Sequence, residues 1–549
     1  MDIRRTVIYI GLAISSYFLF INWNNDYGHK ADANLPVSEQ QVQSTDAPVS
    51  DAASQHLDQP AVTAAGLPSD SLPAATGQTI EVSTDVLTVS INPRGGEITQ
   101  VLLPAFPISV DHPETPSALL ENNSRRLYVA QSGLVGRDGT DTNGAALFAS
   151  EQTSYQMLPD QDQLQVVLTT QTDKAIVEKI FTFKRGEYLF DISYRVHNTS
   201  DSDWSGVFYA QLKRDGSADP SKQSSMGMSS YLGAALTTSE NRYEKIKFSD
   251  LEDKPYKSVQ EGGWAAILQH YFLAAWIPNP DASHTYNGRF VRGNYIFGFF
   301  DQPFTVAAGE TAETGAKLYV GPKDQDRLGE IAENLNLTVD YGWLWFIAQP
   351  LFHVLTFFHG LVGNWGVAII LLTFCVKLLF FYPSAMSYRS MANMRKVAPE
   401  MQAIKEKYGD NREKLGQEMM KLYRDKKINP LGGCLPILIQ MPVFISLYWV
   451  LMESIELRQA PFALWIKDMS VMDPYFILPL IMGASMFLQM KLNPTPPDPM
   501  QARVMQFMPI VFTIFFLWFP AGLVLYWVCN NVLSISQQYV ITKQIEKAK

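Results

Sequence analysis

Apolar residues along this chain fall into three patterns. The first is nearly continuous, over residues 7–23, 365–382, 435–452, 475–490, 504–519 and 523–541. A helix needs about 20 such residues to cross a bilayer, so these stretches predict six membrane spans. The fourth and fifth are short, which calls for a thinned bilayer or spans extended at their ends. Inside all six there is one formal charge, Lys377. The second pattern is alternation, from Thr79 to about Asp324, as in Ile80-Glu-Val-Ser-Thr-Asp-Val-Leu-Thr-Val-Ser-Ile91 and Leu164-Gln-Val-Val-Leu-Thr-Thr170. Strands of this length, separated by Asn, Asp, Gly and Pro clusters, predict an antiparallel β-sandwich with no long helix inside it.

The third pattern has spacings of three and four. Met394, Val397, Met401, Ile404 and Tyr408 make one such seam, and Leu415, Met419 and Leu422 repeat it. That predicts a helical hairpin with its turn at Gly409-Asp410-Asn411 and Pro399 starting or kinking the first arm. Just ahead of the second span, residues 343–362 carry Gln349, His353 and Thr356 on one face and Trp343, Trp345, Phe346, Phe352 and Phe358 as bulk. This suits a helix lying in the outer interface, the alternative being an extension of the second span.

Charge orients these elements. Arg4 and Arg5 precede the first span, and the segment 384–429 carries eleven Lys/Arg against six Asp/Glu, so both should be cytoplasmic. Residues 24–341 hold 23 basic and 41 acidic residues, a net of −18, and should face outward. Six alternating spans return Lys543, Lys547 and Lys549 to the cytoplasm. The first span reads as an uncleaved signal anchor; a cleavable signal peptide would need its site at Ala31-Asp32-Ala33, far past the apolar run. Residues 24–77, rich in Ala, Ser, Asp, Gln, Pro and Thr, read as a flexible tether.

Composition narrows the chemistry. The 549 residues are 47% hydrophobic and 18% charged with a net charge of −10, against a disordered chain or a basic nucleic-acid binder. Cys375, Cys434 and Cys529 offer neither a disulfide framework nor zinc spacing, and the eight His form no HExxH pattern. There is no GxxxxGK[ST] and no GxSxG, so no catalytic residue, cofactor or metal site is assigned.

Lys377 lies thirteen residues past Asn364, about 20 Å down a helix and so in the cytoplasmic half of the membrane. It should face protein or water, or else snorkel to the headgroups near Tyr382. Thr373 is one turn away, Gln440 lies in the third span, and Asn530, Asn531, Ser534 and Ser536 lie in the sixth. No span contains a carboxylate to neutralise the lysine, unlike an ion-coupled transporter. A cation among amides and hydroxyls implies a wet groove; the same small polar residues also serve helix packing.

Several strings resemble the YidC membrane-protein insertase family, whose relatives include the mitochondrial Oxa and chloroplast Alb insertases. They are Val339-Asp-Tyr-Gly-Trp-Leu-Trp345, Asn429-Pro-Leu-Gly-Gly-Cys-Leu-Pro-Ile-Leu-Ile-Gln-Met-Pro442, Leu457-Arg-Gln-Ala-Pro-Phe-Ala-Leu-Trp465 and Phe515-Phe-Leu-Trp-Phe-Pro-Ala-Gly-Leu-Val-Leu-Tyr526. The likeness runs through the C-terminal part of the chain, and the outer domain resembles the Gram-negative form by position and pattern. It implies a five-span core with a hydrophilic groove open to cytoplasm and lipid. Lys377 matches the groove's basic residue, which is Arg in familiar members; Thr373, Gln440, Tyr526 and Trp527 match groove-lining or client-contacting positions, and Asn530, from the polar company of Lys377, is a further candidate groove residue. The change from Arg keeps the charge and loses the planar fork.

The organisation expected is therefore a signal-anchor span (1–23), a tether (24–77), a periplasmic β-sandwich (78–328) and a linker with an interfacial helix (329–363). The second span (364–383), a cytoplasmic hairpin (384–428), spans three to six (429–541) and a short cytoplasmic tail (542–549) follow, in a multi-pass protein of the bacterial inner membrane. The resemblance implies a non-enzymatic insertase and chaperone whose clients are nascent integral membrane proteins. It acts alone or with the Sec translocon (SecYEG, SecDF), with the ribosome, the signal recognition pathway and anionic lipids as further partners and no sequence-specific nucleic-acid binding. A small-molecule transporter using Lys377 as an anion site and a tethered sugar-active sandwich enzyme are the competing classes.

Overall fold

The computed structural model describes residues 78–221, 230–409, 411–426, 435–493 and 499–547. The predicted signal anchor and tether lie outside the described residues, as do the first residues of the Asn429 string. What is described comprises a large β-rich domain followed by a helical region.

The β-rich domain has two layers. In one sheet the described strands run from Tyr256–Glu261 through Ser283–Val291, Asn294–Phe300, Trp204–Asp215, Leu127–Val135, His112–Asn122, Glu97–Ser109, Thr88–Asn92 and Ile80–Ser83 to Ser154–Gln156. In the other they run from Glu244–Ile246 through Gly233–Leu236, Ala265–Leu268, Phe272–Ile277, Thr311–Pro322, Leu189–Asn198, Ala175–Lys184 and Gln163–Gln171 to Ala149–Ser150. Pairing is antiparallel except between Ile80–Ser83 and Ser154–Gln156. Alternation decides the faces: in Gln163–Gln171, Val166 and Leu168 are buried and their neighbours Gln165, Val167 and Thr169 are exposed. The short helix α1 (Phe248–Asp253) lies within this domain, and α2 (Gln325–Ile331) follows it, its start capped by the Asp324 carboxylate.

Two central strands of the second sheet break that alternation, because both of their faces are covered. Along Ala265–Leu268 and Phe272–Ile277 every residue is buried. Ala265, Ile267, Phe272, Ala274 and Trp276 join the core between the sheets. Ala266, Leu268, Leu273, Ala275 and Ile277 join a second core shared with the helices.

The helical region begins with α3 (Trp345–Val362), entered through a 3-10 turn at Gly342–Leu344. Gly363, in the left-handed region (φ 64°), ends it, and the Asn364 side chain accepts from the Val367 N–H to start α4 (Trp365–Leu379). Asn364 also donates to Phe462 O at 2.9 Å, tying this corner to a later loop. Then come α5 (Phe381–Lys396), α6 (Ala398–Tyr408), α7 (Arg412–Asp425), α8 (Leu435–Glu453), α9 (Ile477–Leu492), α10 (Pro499–Phe516) and α11 (Ala521–Lys547).

One expectation meets a different geometry. The second predicted span, 365–382, is helical only to Leu379; the chain bends by 68° between α4 and α5. Pro383 in the first turn of α5 explains the break, since it has no N–H to give the Leu379 carbonyl. The run Gly342–Val362, read from the sequence as an interfacial helix or an extension of the second span, is the one described helix long and apolar enough by itself to cross a membrane, a length and composition that fit either reading. The α4–α5 pair passes only when joined, and the apolar helices Ile439–Glu453, Ile477–Leu492 and Ala502–Phe516 are shorter, so helix length alone does not establish six spans.

Candidate functional site

Three helices bring the polar residues of the apolar region together. On α11, Asn530 and Ser534 are one turn apart and share a face. Ser534 Oγ donates to Asn530 O at 2.6 Å and accepts from Lys377 Nζ of α4 at 2.7 Å. A hydroxyl has one proton and two lone pairs, so both bonds can stand at once. Lys377 is 7% exposed, so its ammonium lies against α11 in this structure and does not reach out to solvent. Among the described residues no carboxylate pairs with it.

On α8, Gln440 Oε1 accepts from Asn530 Nδ2 at 3.4 Å, a long bond. Gln440 Nε2 and Asn530 Oδ1 are buried and have no partner. Flipping both amides leaves the same inventory, one free donor and one free acceptor side by side, so the conclusion does not depend on how oxygen and nitrogen are assigned. Trp527 Nε1 and Ser446 Oγ are likewise buried without partners. A buried polar atom left unpaired costs about 1–3 kcal/mol. Native proteins keep such atoms where water or an arriving ligand completes them.

Aromatic side chains wall the seam. The Phe444 ring meets Trp527 edge-on at 4.7 Å and lies 6.4 Å from Tyr526, while Phe516 and Phe512 sit 5.3 and 6.4 Å from Trp527. Tyr526 is buried within the helical core and Trp527 is half-buried. Thr373 is wholly buried, and its hydroxyl donates to Ile369 O at 2.6 Å within its own helix. Asn531 turns away toward α9, donating to Ser485 Oγ at 2.9 Å, and serves helix packing.

The structure thus joins Lys377 to Ser534, and Gln440 to Asn530 beside Tyr526 and Trp527. Thr373 is engaged with its own backbone. Ser446 and the acceptor role of Ser534 were not assigned from the sequence. For Ser446 the available signal was a lone hydroxyl in the run Val443-Phe-Ile-Ser-Leu447.

Below the bend, Gln537 Nε2 of α11 donates to Phe381 O at 3.1 Å, holding the start of α5. Arms α6 and α7 pack through Val397, Met401 and Leu422, and Lys426 pairs with Glu400 at 2.9 Å. Lys407, Lys414, Lys421, Arg424 and Lys426 remain exposed along them. The Arg412 side chain and Lys427 lie outside the described residues.

A cation held by a hydroxyl, an incompletely bonded amide pair and an aromatic wall thus come together in an apolar helical region attached to a β-sandwich. Two family models match the chain beyond its first 78 residues: the YidC periplasmic domain over residues 79–354 and the 60Kd inner membrane protein over residues 357–548. The chain is 54% identical over 556 residues to the membrane protein insertase YidC of Azotobacter vinelandii, covering 100% of this chain and 99% of that one. It is 52% identical over 554 residues to the insertase YidC of Pseudomonas fluorescens (strain SBW25), with the same coverage. A crystal structure of an active YidC insertase aligns over 85% of this chain and 93% of its own, with 17% identity and a TM-score of 0.39. The chain belongs to the YidC family of membrane protein insertases.

Proposed function

We infer that this protein inserts other proteins into the bacterial inner membrane and assists their folding, without catalysing a covalent reaction. Its β-sandwich stands in the periplasm. The observation that carries the groove reading is the seam itself: an amide pair with one free donor and one free acceptor, beside an uncompensated cation, inside an apolar helical region. Hydrocarbon cannot satisfy such groups, but water and a passing polypeptide can.

The finer reading has six spans, with both termini and the α6–α7 hairpin in the cytoplasm, as the charge split requires. A nascent membrane protein, the client, meets the basic hairpin, which also suits anionic lipid or a ribosome. Its polar or acidic outer segment then enters the seam. Lys377, Gln440 and Asn530, with water, solvate that segment part-way across, and Trp527, Tyr526 and Phe444 flank it; Thr373 supports the wall. Burying the client's apolar span in lipid, worth about 25 cal/mol per Å², draws it out sideways. The seam shortens the dry distance that polar groups cross, so no nucleotide is needed. The Sec translocon (SecYEG, SecDF) is a partner on the strength of the family resemblance.

Purified full-length protein in liposomes tests this. A single-span client should insert without ATP, and Gln440→Leu with Asn530→Leu should slow insertion. Solute uptake with no client insertion would favour a transporter. Turnover of glycans would favour a sandwich enzyme.

A further inference from the structure

The outer face of the first sheet carries a polar row that the groove reading leaves unused. Register sets Lys257, Asn287, Gly298, Gln211 and Gln131 opposite one another on five neighbouring strands, so they share one side of the sheet. Ala210 and Leu212, on either side of Gln211, belong to the core between the sheets, which turns the row away from it. Helix α1 lies on the core side, where a Cβ on Gly288 would meet Leu251 and where Phe248 stacks on Tyr295.

Side-chain bonds run along the row. Arg289 Nη2 donates to Gln211 Oε1 at 3.3 Å, Gln211 Nε2 to Gln131 Oε1 at 2.9 Å, and Gln131 Nε2 to Glu97 Oε1 at 2.8 Å. An arginine can only donate and a carboxylate only accept, which fixes the direction of both amides between them. Glu97 closes one end of the row, and the other end is basic. Arg289 and Lys213 flank Ile296 in register on the same face. Lys257 stands on the edge strand Tyr256–Glu261, and Arg292 in the turn between Ser283–Val291 and Asn294–Phe300. Asp215, two residues past Lys213, already accepts from the Leu127 and Ser217 N–H groups at 2.8 and 3.1 Å.

Cations gathered on neighbouring strands raise the local potential, and an anionic occupant lowers it. The occupant must also be thin enough to lie along a sheet face. The predicted tether has both properties. Residues 31–77 carry six acids and no Lys or Arg, mostly with small side chains between them, and Pro36, Pro48, Pro60, Pro68 and Pro73 favour an extended chain. The tether leads into Ile80–Ser83, seven strand spacings from Ser283–Val291 through the sheet, about 34 Å. Twenty residues separate Asp58 from Gln78, enough for about 66 Å when extended, so Asp51 and Asp58 reach the basic edge with slack. Belonging to the same chain, they act at a high effective concentration, and a few individually weak surface pairs suffice.

We propose that the acidic tether docks along the basic edge of this sheet face, held by Lys213, Lys257, Arg289 and Arg292, and so keeps other anionic chains off it.

The test uses full-length protein in liposomes with Cys375, Cys434 and Cys529 replaced by serine. One cysteine replaces Gln59 in the tether. A second replaces either Val259, exposed and two residues from Lys257 on the same face, or Val167, exposed on the other sheet. Disulfide formation within the molecule should be about tenfold faster with Val259→Cys than with Val167→Cys, and high salt should abolish the difference. Asp51→Lys with Asp58→Lys and Asp70→Lys should abolish it too, as should Lys213→Glu with Lys257→Glu and Arg292→Glu. The two sets combined should restore it. The tether set alters no residue of the sandwich, so it decides the matter even where the face set lowers the unfolding midpoint. Equal rates at the two positions in the native background would overturn the proposal, and so would a difference that survives the tether set. A fast product at the mass of a dimer would overturn it by assigning the face to a second copy.

Discussion

Lys377 on α4 and Ser534 on α11, 157 residues apart in sequence, are joined by a 2.7 Å hydrogen bond in which the ammonium donates. The bond leaves the lysine with further protons and, among the described residues, no neutralising acid. Held there, the ammonium lies against α11, and Lys377 is 7% exposed.

Substitutions at Lys377 should separate charge from shape. Lys377→Arg should be tolerated, since it stays cationic and long. Lys377→Glu should impair clients with acidic outer tails most, because like charges then meet where screening is weak. Lys377→Ala should be intermediate. The measurement is insertion of paired clients that differ only in tail acidity, at matched insertase levels. Equal losses for acidic and neutral tails would remove the electrostatic role.

The amide pair should behave non-additively. Gln440→Leu alone strands both polar ends of Asn530, and Asn530→Leu alone strands Gln440; each should cost about tenfold in insertion rate, the size of about 1.4 kcal/mol. The double leucine variant removes the mismatch in the resting seam and should cost less than the product of the singles. Strict multiplication of the two losses would mean that the side chains act separately.

Sidedness follows from the charge split. A cysteine at Asn411, in the hairpin turn, should react only with a reagent admitted to the cytoplasm, and one at Asp111, on the sandwich, only from the periplasm. Labelling of the hairpin from outside would invert the proposed arrangement.

The sequence made the β-rich domain legible wherever one face of a strand met solvent, as at Ile80–Ser83, whose Ile80 and Val82 are buried and Glu81 exposed. It failed along Phe272–Ile277, because a strand covered on both sides loses its alternation and no local signal names what covers the second face. The bend at Phe380 was written in Tyr382-Pro383 but hidden by the unbroken apolar run around it. At the site, helical spacing put Lys377 on a face and named its polar company. It could not single out Ser534 as the partner, which depends on how α4 and α11 cross. Lys323, His270 and Glu453 read as ordinary polar residues near chain turns, and only the docking of two distant regions makes them a cluster.

The last prediction concerns a second buried lysine, in the sandwich core. Lys179 is wholly buried; its Nζ lies 2.9 Å from Gly95 O and 3.1 Å from Ser132 O, over the rings of Phe181 and Tyr194. Gly96 makes room for it, since a Cβ there would come within 2.7 Å of the lysine stem. A neutral amine has two N–H groups for two carbonyls, whereas an ammonium has a third with no oxygen to meet. Burial pushes Lys179 down from 10.5 to about 7, against the opposing pull of Asp141 and Glu97. In the unfolded chain the same lysine keeps its proton to 10.5. Between those values the unfolded state binds more protons, so stability should rise with pH, by up to about 1.4 kcal/mol per pH unit. Below pH 7 both states are protonated and the full cost of the buried charge is present. Urea unfolding of the full-length protein in detergent, followed by tryptophan fluorescence at pH 7, 8 and 9, gives this slope. Lys323, also pushed down by burial, adds a slope of its own, so the comparison is with Lys179→Met, which keeps Lys323 and removes only the core amine. The variant should show a flatter pH dependence, with its advantage over the native protein greatest at pH 7 and shrinking toward pH 9. Parallel slopes would mean that Lys179 keeps its proton in the folded core throughout this range.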